Sequence, residues 1–278
     1  MLHPPELRSA AGLRWFGVTD RGKVRKNNED AFLGVQFDAR EFHYLGKHGE
    51  ASLGHHDYAF AVSDGIGGNR AGEFASRVAV EKITRLLPKS YQQSAKGMEA
   101  GFADVLSEVY DQIHKAINFF GLDEETRGMG ATLSLGWFTP GWMYWAHIGD
   151  SRIYYLPAEG GLRQLSHDDT HVGWLYRNAK ISEHQARTHP ARNQLQRALG
   201  AGHQFVDPQV GSVSCGKGDL FLICSDGVTD GLYDEQILEI LRSPAGMQIE
   251  PNPALRLVKE SLERSGRDNT TAVVVEIL

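Results

Sequence analysis

Four aspartates stand out by their setting. Asp64 closes AFAVSD, Asp150 closes YWAHIGD and Asp226 closes LFLICSD, while Asp268 sits in GRDNTT just ahead of the last apolar run. In the first three, an apolar run of strand-like composition leads straight into a carboxylate. A carboxylate beside buried chain is costly to desolvate unless something neutralises it. One such residue is explained as a turn former; three strand ends plus Asp268 point to a shared cation. Carboxylates, backbone carbonyls and water are hard oxygen donors that suit Mg²⁺ or Mn²⁺. No histidine and cysteine set has zinc-ligand spacing. Several acids on one site suit two metals about 3.5–4 Å apart, sharing a carboxylate and activating water near neutral pH.

A complementary group lies in RKNNED, where Arg25 stands just ahead of Asn28, Glu29 and Asp30. A guanidinium beside acids either pairs with them or offers a forked donor to a phosphoryl group. Alone, the structural pair is the better account. Beside a two-metal site with no other anion clamp, phosphate recognition is preferred. Around Asp64 the run DYAFAVSDGIGG (57–68) ends in glycines 65, 67 and 68, with Gly72 close behind. Glycine there lets the backbone turn sharply and approach a ligand.

Other chemistries are excluded by their residues. Neither Cys215 nor Cys224 is followed by a phosphate-cradling loop closed by arginine. There is no GxxxxGK[ST] loop and no GxSxG elbow. The glycines after Asp64 have the wrong spacing for a dinucleotide turn, and Asp64 would repel a pyrophosphate.

The elements that position these groups follow from periodicity. Strands are expected at 13–20, across the end of 24–37, at 57–63, and as consecutive antiparallel strands at 128–138 and 141–156. Turns at Thr139-Pro140-Gly141 and Gly149-Asp150-Ser151 divide that last region. Further strands are expected at 203–213, 218–227 and 270–278. Helices are expected at 73–87, 99–120, 234–243 and 253–265; the second carries an apolar stripe at Phe102, Val105, Leu106, Val109, Ile113 and Ile117. Residues 38–56 hold four of the twelve histidines with no period, and read as an exposed inserted loop. Residues 166–200 are polar and helical and read as a flap. Strands neighbour strands and helices come in pairs, so the expected fold is α+β, two packed antiparallel sheets covered by helices.

Composition narrows the class. The 278 residues are 41% hydrophobic and 23% charged, with 29 basic against 35 acidic residues and a formal charge of −6. That balance gives no electrostatic case for nucleic acid or an anionic membrane. Two cysteines exclude a disulfide framework and point to a reducing, cytoplasmic setting. No run of about 18 uncharged apolar residues predicts a membrane span. Residues 1–12 read as a leader ahead of a single domain at 13–278, not as a signal peptide.

Taken in order, VRKNNEDA, VSDGIGG, GMGATL, AHIGDSR, LSHDDTHV, HPARNQLQRALG, LICSDGVTD and GRDNTT resemble the metal-dependent serine/threonine protein phosphatases of type 2C, in their bacterial form. The resemblance covers about 13–278 apart from 38–56. It implies a four-layer αββα sandwich with a binuclear Mn²⁺ or Mg²⁺ centre at one end. It implies that Asp64 bridges the metals, that the Gly65 carbonyl binds one of them, and that Asp226 and Asp268 complete the ligand set. Glu29 and Asp30 would hold metal-bound waters, and Arg25 the substrate phosphate. Asp150, with Asp230 or Asp226, matches a third, weaker metal site. Phosphoserine and phosphothreonine proteins would be hydrolysed in line by metal-activated water, opposing a serine/threonine kinase.

The chain departs from the family in three places. Ile66 stands where some members carry a histidine proposed as general acid, so a metal-bound water is the expected donor. Ala131 replaces a common hydroxyl residue. His147 is read as a satisfied core histidine, not a catalytic one. The competing reading is a pseudophosphatase that only binds partners, through the flap and the 38–56 segment. Retention of Asp64, Asp226, Asp268 and Arg25 favours catalysis.

Overall fold

The computed structural model describes residues 12–38, 40–54, 56–95, 101–243 and 250–278. The leader up to residue 11 and the start of the helix expected from residue 99 lie outside these. In chain order the first strands are β1 (Gly12–Asp20), β2 (Asp30–Phe37), β3 (Phe42–Tyr44), β4 (His48–Ser52) and β5 (Asp57–Ile66). Helices α1 (Asn69–Ala95) and α2 (Phe102–Phe120) precede β6 (Gly130–Ala131), β7 (Leu133–Thr139), β8 (Trp142–Ile148), β9 (Arg152–Leu156) and β10 (Arg163–Gln164). The flap region holds α3 (His171–Arg177), α4 (Glu183–Thr188) and β11 (Leu199–Gly200). Then come β12 (Gln209–Ser214), β13 (Leu220–Cys224), α5 (Asp226–Gly231), α6 (Asp234–Arg242), α7 (Pro253–Arg264) and β14 (Thr270–Ile277).

Two antiparallel sheets result. One runs β10-β9-β13-β14-β1-β4; the other runs β11-β6-β5-β7-β8-β12, with β2 on the far side of β5 and β3 on β2. Apolar side chains explain why they stack. Residues 58–63 of β5 are buried on both faces, as are 270–275 of β14. Leu13, Tyr58, Phe60, Phe138, Phe221 and Val275 fill the space between the sheets. Outside the second sheet, α1 and α2 lay Val78, Ile83, Leu106, Val109 and Ile113 against Leu135 and Trp137. Outside the first sheet, α5, α6 and α7 lay Val228, Ile237, Leu257 and Val258 against Leu222 and Val274. Helix, sheet, sheet and helix make the expected four layers. No helix among the described residues is long and apolar enough to cross a membrane.

Several expectations need correction. Residues 38–56 are not a loop: β3 pairs with β2, and β4 pairs with β1 on the edge of the other sheet. Both are short edge strands with largely exposed side chains, so backbone pairing holds them and no apolar period marks them. Gly149-Asp150-Ser151 is not a hairpin turn. Strand β8 pairs with β7 and β12, whereas β9 pairs with β13 and β10, so this link carries the chain from one sheet to the other. Asp64 does not end its strand, because β5 continues through Gly65 and Ile66 to pair with β6. Helix α1 begins at Asn69 and continues past Pro88, where a break was expected. The strand expected at 203–213 is confined to β12, and Asp226 opens a short helix instead of closing a strand.

A half-buried carboxylate lies away from the aspartate-rich end. Asp57, the first residue of β5, accepts a hydrogen bond from the Trp137 indole N–H at 2.9 Å. Burial pushes its pKa up to about 6, which that hydrogen bond only partly offsets. A raised carboxyl pKa contributes stability that is complete below the unfolded value and lost as pH rises through about 6. Asp57→Asn keeps an oxygen acceptor for Trp137. It should match the wild type near pH 4 and exceed its stability by on the order of 2 kcal/mol at neutral pH. Urea denaturation at both pH values checks this; an unchanged gap between the proteins would contradict it.

Candidate metal centre

The expected residues converge at one end of the sandwich. Arg25, Glu29, Asp64, Gly65, Asp150, Asp226 and Asp268 line a cleft of about 370 Å³. Asp64 and Gly65 arrive on β5, Asp226 on the first turn of α5, Asp268 ahead of β14, and Asp150 on the inter-sheet link. Asp30 sits directly across from Asp64 in the β2–β5 register. Asp230 does not line this cleft. It lines a smaller adjoining cavity of about 90 Å³ that also reaches Asp150 and Asp226. There it pairs with Arg192 of the flap at 3.1 Å.

Local packing dictates the placement. The Asp64 N–H donates to Thr132 Oγ1 at 3.0 Å, and the Thr132 N–H donates to the Asp64 carbonyl at 2.8 Å. Gly65 is obligatory, since a Cβ there would lie 2.0 Å from the Gly72 carbonyl oxygen. Asn269 joins the arginine loop to the Asp268 corner. Its side-chain NH₂ donates to the Arg21 and Asn27 carbonyls at 2.8 and 2.9 Å, and its Oδ1 accepts from the Glu29 N–H at 2.7 Å. Its own N–H donates to Asp268 Oδ1 at 2.8 Å. Ser225 donates to Asp30 Oδ2 at 2.7 Å instead of capping α5.

Electrostatics show the cost of this gathering. Burial, then Asp30, Asp226, Asp150 and Asp268, push the Asp64 carboxyl well above the usual range. Burial, then Asp150, Asp230, Asp268 and Asp30, do the same to Asp226. Asp150 is pushed up to about 7 by burial and then by Asp168, and Asp30 to about 6, chiefly by burial. Arg25 Nη2 holds Asp268 Oδ2 at 2.6 Å while its side chain stays 48% exposed, so its fork remains open to the cleft. Hydrogen bonding and ion pairing to Asp268 lift the Arg25 pKa further above its ordinary value.

No three histidine, cysteine or acidic side chains among the described residues form a closed ligand cluster. The donor set nonetheless fits a hard cation on two structural counts. Asp30 Oδ1 and Asp226 Oδ1 are buried with no hydrogen-bond partner, and such orphaned oxygens are rare without an ion or water to satisfy them. Asp30 and Asp64 are like charges directly opposed across a strand pair, an arrangement that destabilises a sheet.

His147 is placed as the sequence implies. It is fully buried, its Nε2–H donates to the Gly149 carbonyl at 3.0 Å, and its Nδ1 accepts from Ser134 at 2.8 Å. Burial lowers its pKa. The thiols of Cys215 and Cys224 are buried and pushed up to about 12, mainly by burial, which suits no thiolate chemistry. Ile66 lines the cleft and carries no proton donor. Sequence reasoning missed Asn269, Ser225 and Thr132 as supports, and Asn193, Leu195 and His203 as cleft-lining residues. Asn269 and Thr132 lie inside motifs already singled out, GRDNTT and GMGATL, so their signal was adjacency. His203 stands three residues beyond Gly200, itself two strand spacings, about 10 Å, from Ile66.

Residues 47–276 match the profile of the family described as Protein phosphatase 2C. The chain is 32% identical over 271 residues to the serine/threonine protein phosphatase PstP of Mycobacterium tuberculosis, covering 96% of this chain and 45% of that protein. It therefore spans less than half the length of that relative. It is also 32% identical to a serine/threonine phosphatase, stp, of Listeria monocytogenes, with 93% of each covered. The crystal structure of the PstP catalytic domain in complex with two manganese ions superposes with a TM-score of 0.73 at 32% identity, covering 96% of this chain and 99% of that one. This chain belongs to the protein phosphatase 2C family.

The supports are as testable as the acids. Asn269→Asp is nearly isosteric but replaces the NH₂ that serves two carbonyls with a carboxylate oxygen. It should destabilise the fold by about 2–3 kcal/mol, since buried partners are left unsatisfied. Urea denaturation reads this; wild-type stability would show that the hub holds nothing.

Proposed function

We propose that this chain hydrolyses phosphoserine and phosphothreonine monoesters in proteins, with Mn²⁺ or Mg²⁺ bound at the Asp64 corner. The observation that carries the reading is the set of carboxylates converging on one cleft opposite Arg25, with orphaned buried oxygens on Asp226 and on Asp30, which faces Asp64 across the strand pair. In this reading Asp64 would serve both ions, and the Gly65 carbonyl, Asp226 and Asp268 would supply the remaining protein ligands. Glu29 and Asp30 would act on the site through water, and Asp150 with Asp230 would serve a weaker third ion. Bound cations neutralise phosphate oxygens and lower the pKa of water, so that a nucleophile is available near neutral pH.

The chain's own residues do the rest. The glycine turn after Asp64 leaves backbone open beside the ester. Arg25 receives the phosphate on its exposed fork and orients it. The guanidinium's standing contact with Asp268 fixes the direction it offers. The identity to serine/threonine phosphatases supports the activity, and the relative solved with two manganese ions supports the ion count. Residues 13–278 are taken as one catalytic domain, with 166–200 as its flap. Its partners would be cytoplasmic phosphoproteins made by a serine/threonine kinase of the same cell.

Hydrolysis of a phosphothreonine peptide or an aryl phosphate should require added Mn²⁺ or Mg²⁺ and vanish with chelator; activity that survives chelation would sink the proposal. Asp64→Asn should lower kcat by at least about a thousandfold while the protein stays folded. Arg25→Ala should act mainly on KM, raising it about tenfold, because an anion clamp is lost and the nucleophile is not. Steady-state kinetics separates the two, and an unchanged KM would remove Arg25 from the phosphate.

A further inference from the structure

Asp150 stands on the link between the two sheets, outside any strand or helix. It follows Gly149, which takes a φ of +108° and whose Cβ, if present, would lie 2.6 Å from Thr132 side-chain carbons. Gly149 offers the link between β8 and β9 only backbone groups, while Ser151 anchors the far end of the link to Ser134 Oγ at 2.9 Å. Both Gly149 groups engage Asp169, and the carbonyl also accepts from His147 Nε2–H at 3.0 Å. The Gly149 N–H donates to Asp169 Oδ2 at 3.0 Å, and the Asp169 N–H donates back to the Gly149 carbonyl at 2.7 Å.

Asp169 belongs to the base of the flap. Its carbonyl accepts from the Gln196 N–H at 2.8 Å, and Thr170 next to it bridges Leu195, so the strands entering and leaving the flap meet here. Its second carboxylate oxygen accepts from Gln209 Nε2 of β12 at 3.1 Å. Gln209 also donates to the His167 carbonyl and accepts from the His167 N–H, at 2.7 and 2.9 Å. The neighbouring acid does a different job: Asp168 is held by the Arg152 fork through contacts of 2.8 and 2.7 Å. Beyond the base, Asn193 and Leu195 line the cleft.

We infer that Asp169 is a positioning residue that clamps Gly149, fixes the Asp150 carboxylate in the cleft, and ties its placement to the seating of the flap. The inference rests on the proposed role of Asp150 as a cation ligand. Loss of the clamp would leave Asp150 without its tie to the flap base.

Three single variants of the full chain test this: Asp169→Ala, Asp169→Asn and Gln209→Ala. Asparagine keeps an oxygen for the Gly149 N–H and gives up only the outer bond to Gln209. Hydrogen–deuterium exchange without metal reads the clamp directly. Amides of 148–152 should exchange about tenfold faster in Asp169→Ala and near wild type in Asp169→Asn, with β14 unchanged in both. Calorimetric titration with Mn²⁺ reads the consequence: Asp169→Ala should weaken the weakest binding event by about tenfold and spare the tighter ones. Its kcat should fall with KM unchanged, and Gln209→Ala should shift both readouts in the same direction by less. Equal exchange in Asp169→Ala and wild type overturns the clamp. Faster exchange with unaltered Mn²⁺ binding and kcat reduces it to a structural tie and overturns the positioning role, as does Asp169→Asn behaving like alanine. A wild-type chain that neither binds Mn²⁺ nor hydrolyses the ester refutes the proposed function instead, while the exchange experiment still decides the clamp.

Discussion

Asp30 and Asp64 face each other across β2 and β5, close to where Asp226, Asp268 and Asp150 arrive from the other sheet and its loops. Two like charges about 5 Å apart repel by about 3 kcal/mol at an effective dielectric near 20. Repeated over a cluster, that is a large part of a domain's net stability of about 5–15 kcal/mol. The raised pKa values of Asp30, Asp64, Asp150 and Asp226 express the same strain. A sandwich with three well-filled apolar layers can carry such a corner. The corner in turn explains why its surroundings are so tightly determined: Gly65 against Gly72, Asn269 across the arginine loop, and Ser225 on Asp30.

The supports share one design. Each carboxylate comes from a rigid element or is tied to one within a residue or two, so the acids hold position against mutual repulsion. Asp64 is held through backbone bonds to Thr132 inside a continuous sheet. Asp268 is held by Arg25 and by the Asn269 N–H. Asp150 alone sits on a link between sheets, held through Gly149. Gly149 beside it is hydrogen-bonded to Asp169 at the flap base, so this is a point at which flap seating reaches the cleft.

Much of this was legible in the sequence because the core strands are apolar on both faces and end near acids. AFAVSD and LFLICSD announce both burial and a carboxylate, and the α2 stripe from Val105 to Ile117 falls on the buried side as its spacing requires. What was illegible had no side-chain signal. Strands β3 and β4 are edge strands with exposed residues, so 38–56 looked like loop. The crossing at Gly149-Asp150-Ser151 has the composition of a hairpin turn, and only pairing partners reveal that β8 and β9 lie in different sheets. Asn269 and Asp169 act through backbone atoms of residues distant in sequence, which no local pattern records.

The central claim is that the Asp64 corner is a cation site built by the fold. Anomalous diffraction at the manganese edge from crystals grown with Mn²⁺ tests it most directly. The account predicts two strong peaks flanked by Asp64, Asp226, Asp268 and the Gly65 carbonyl. An ordered corner without anomalous density at saturating Mn²⁺, or with peaks only elsewhere on the molecule, would contradict it.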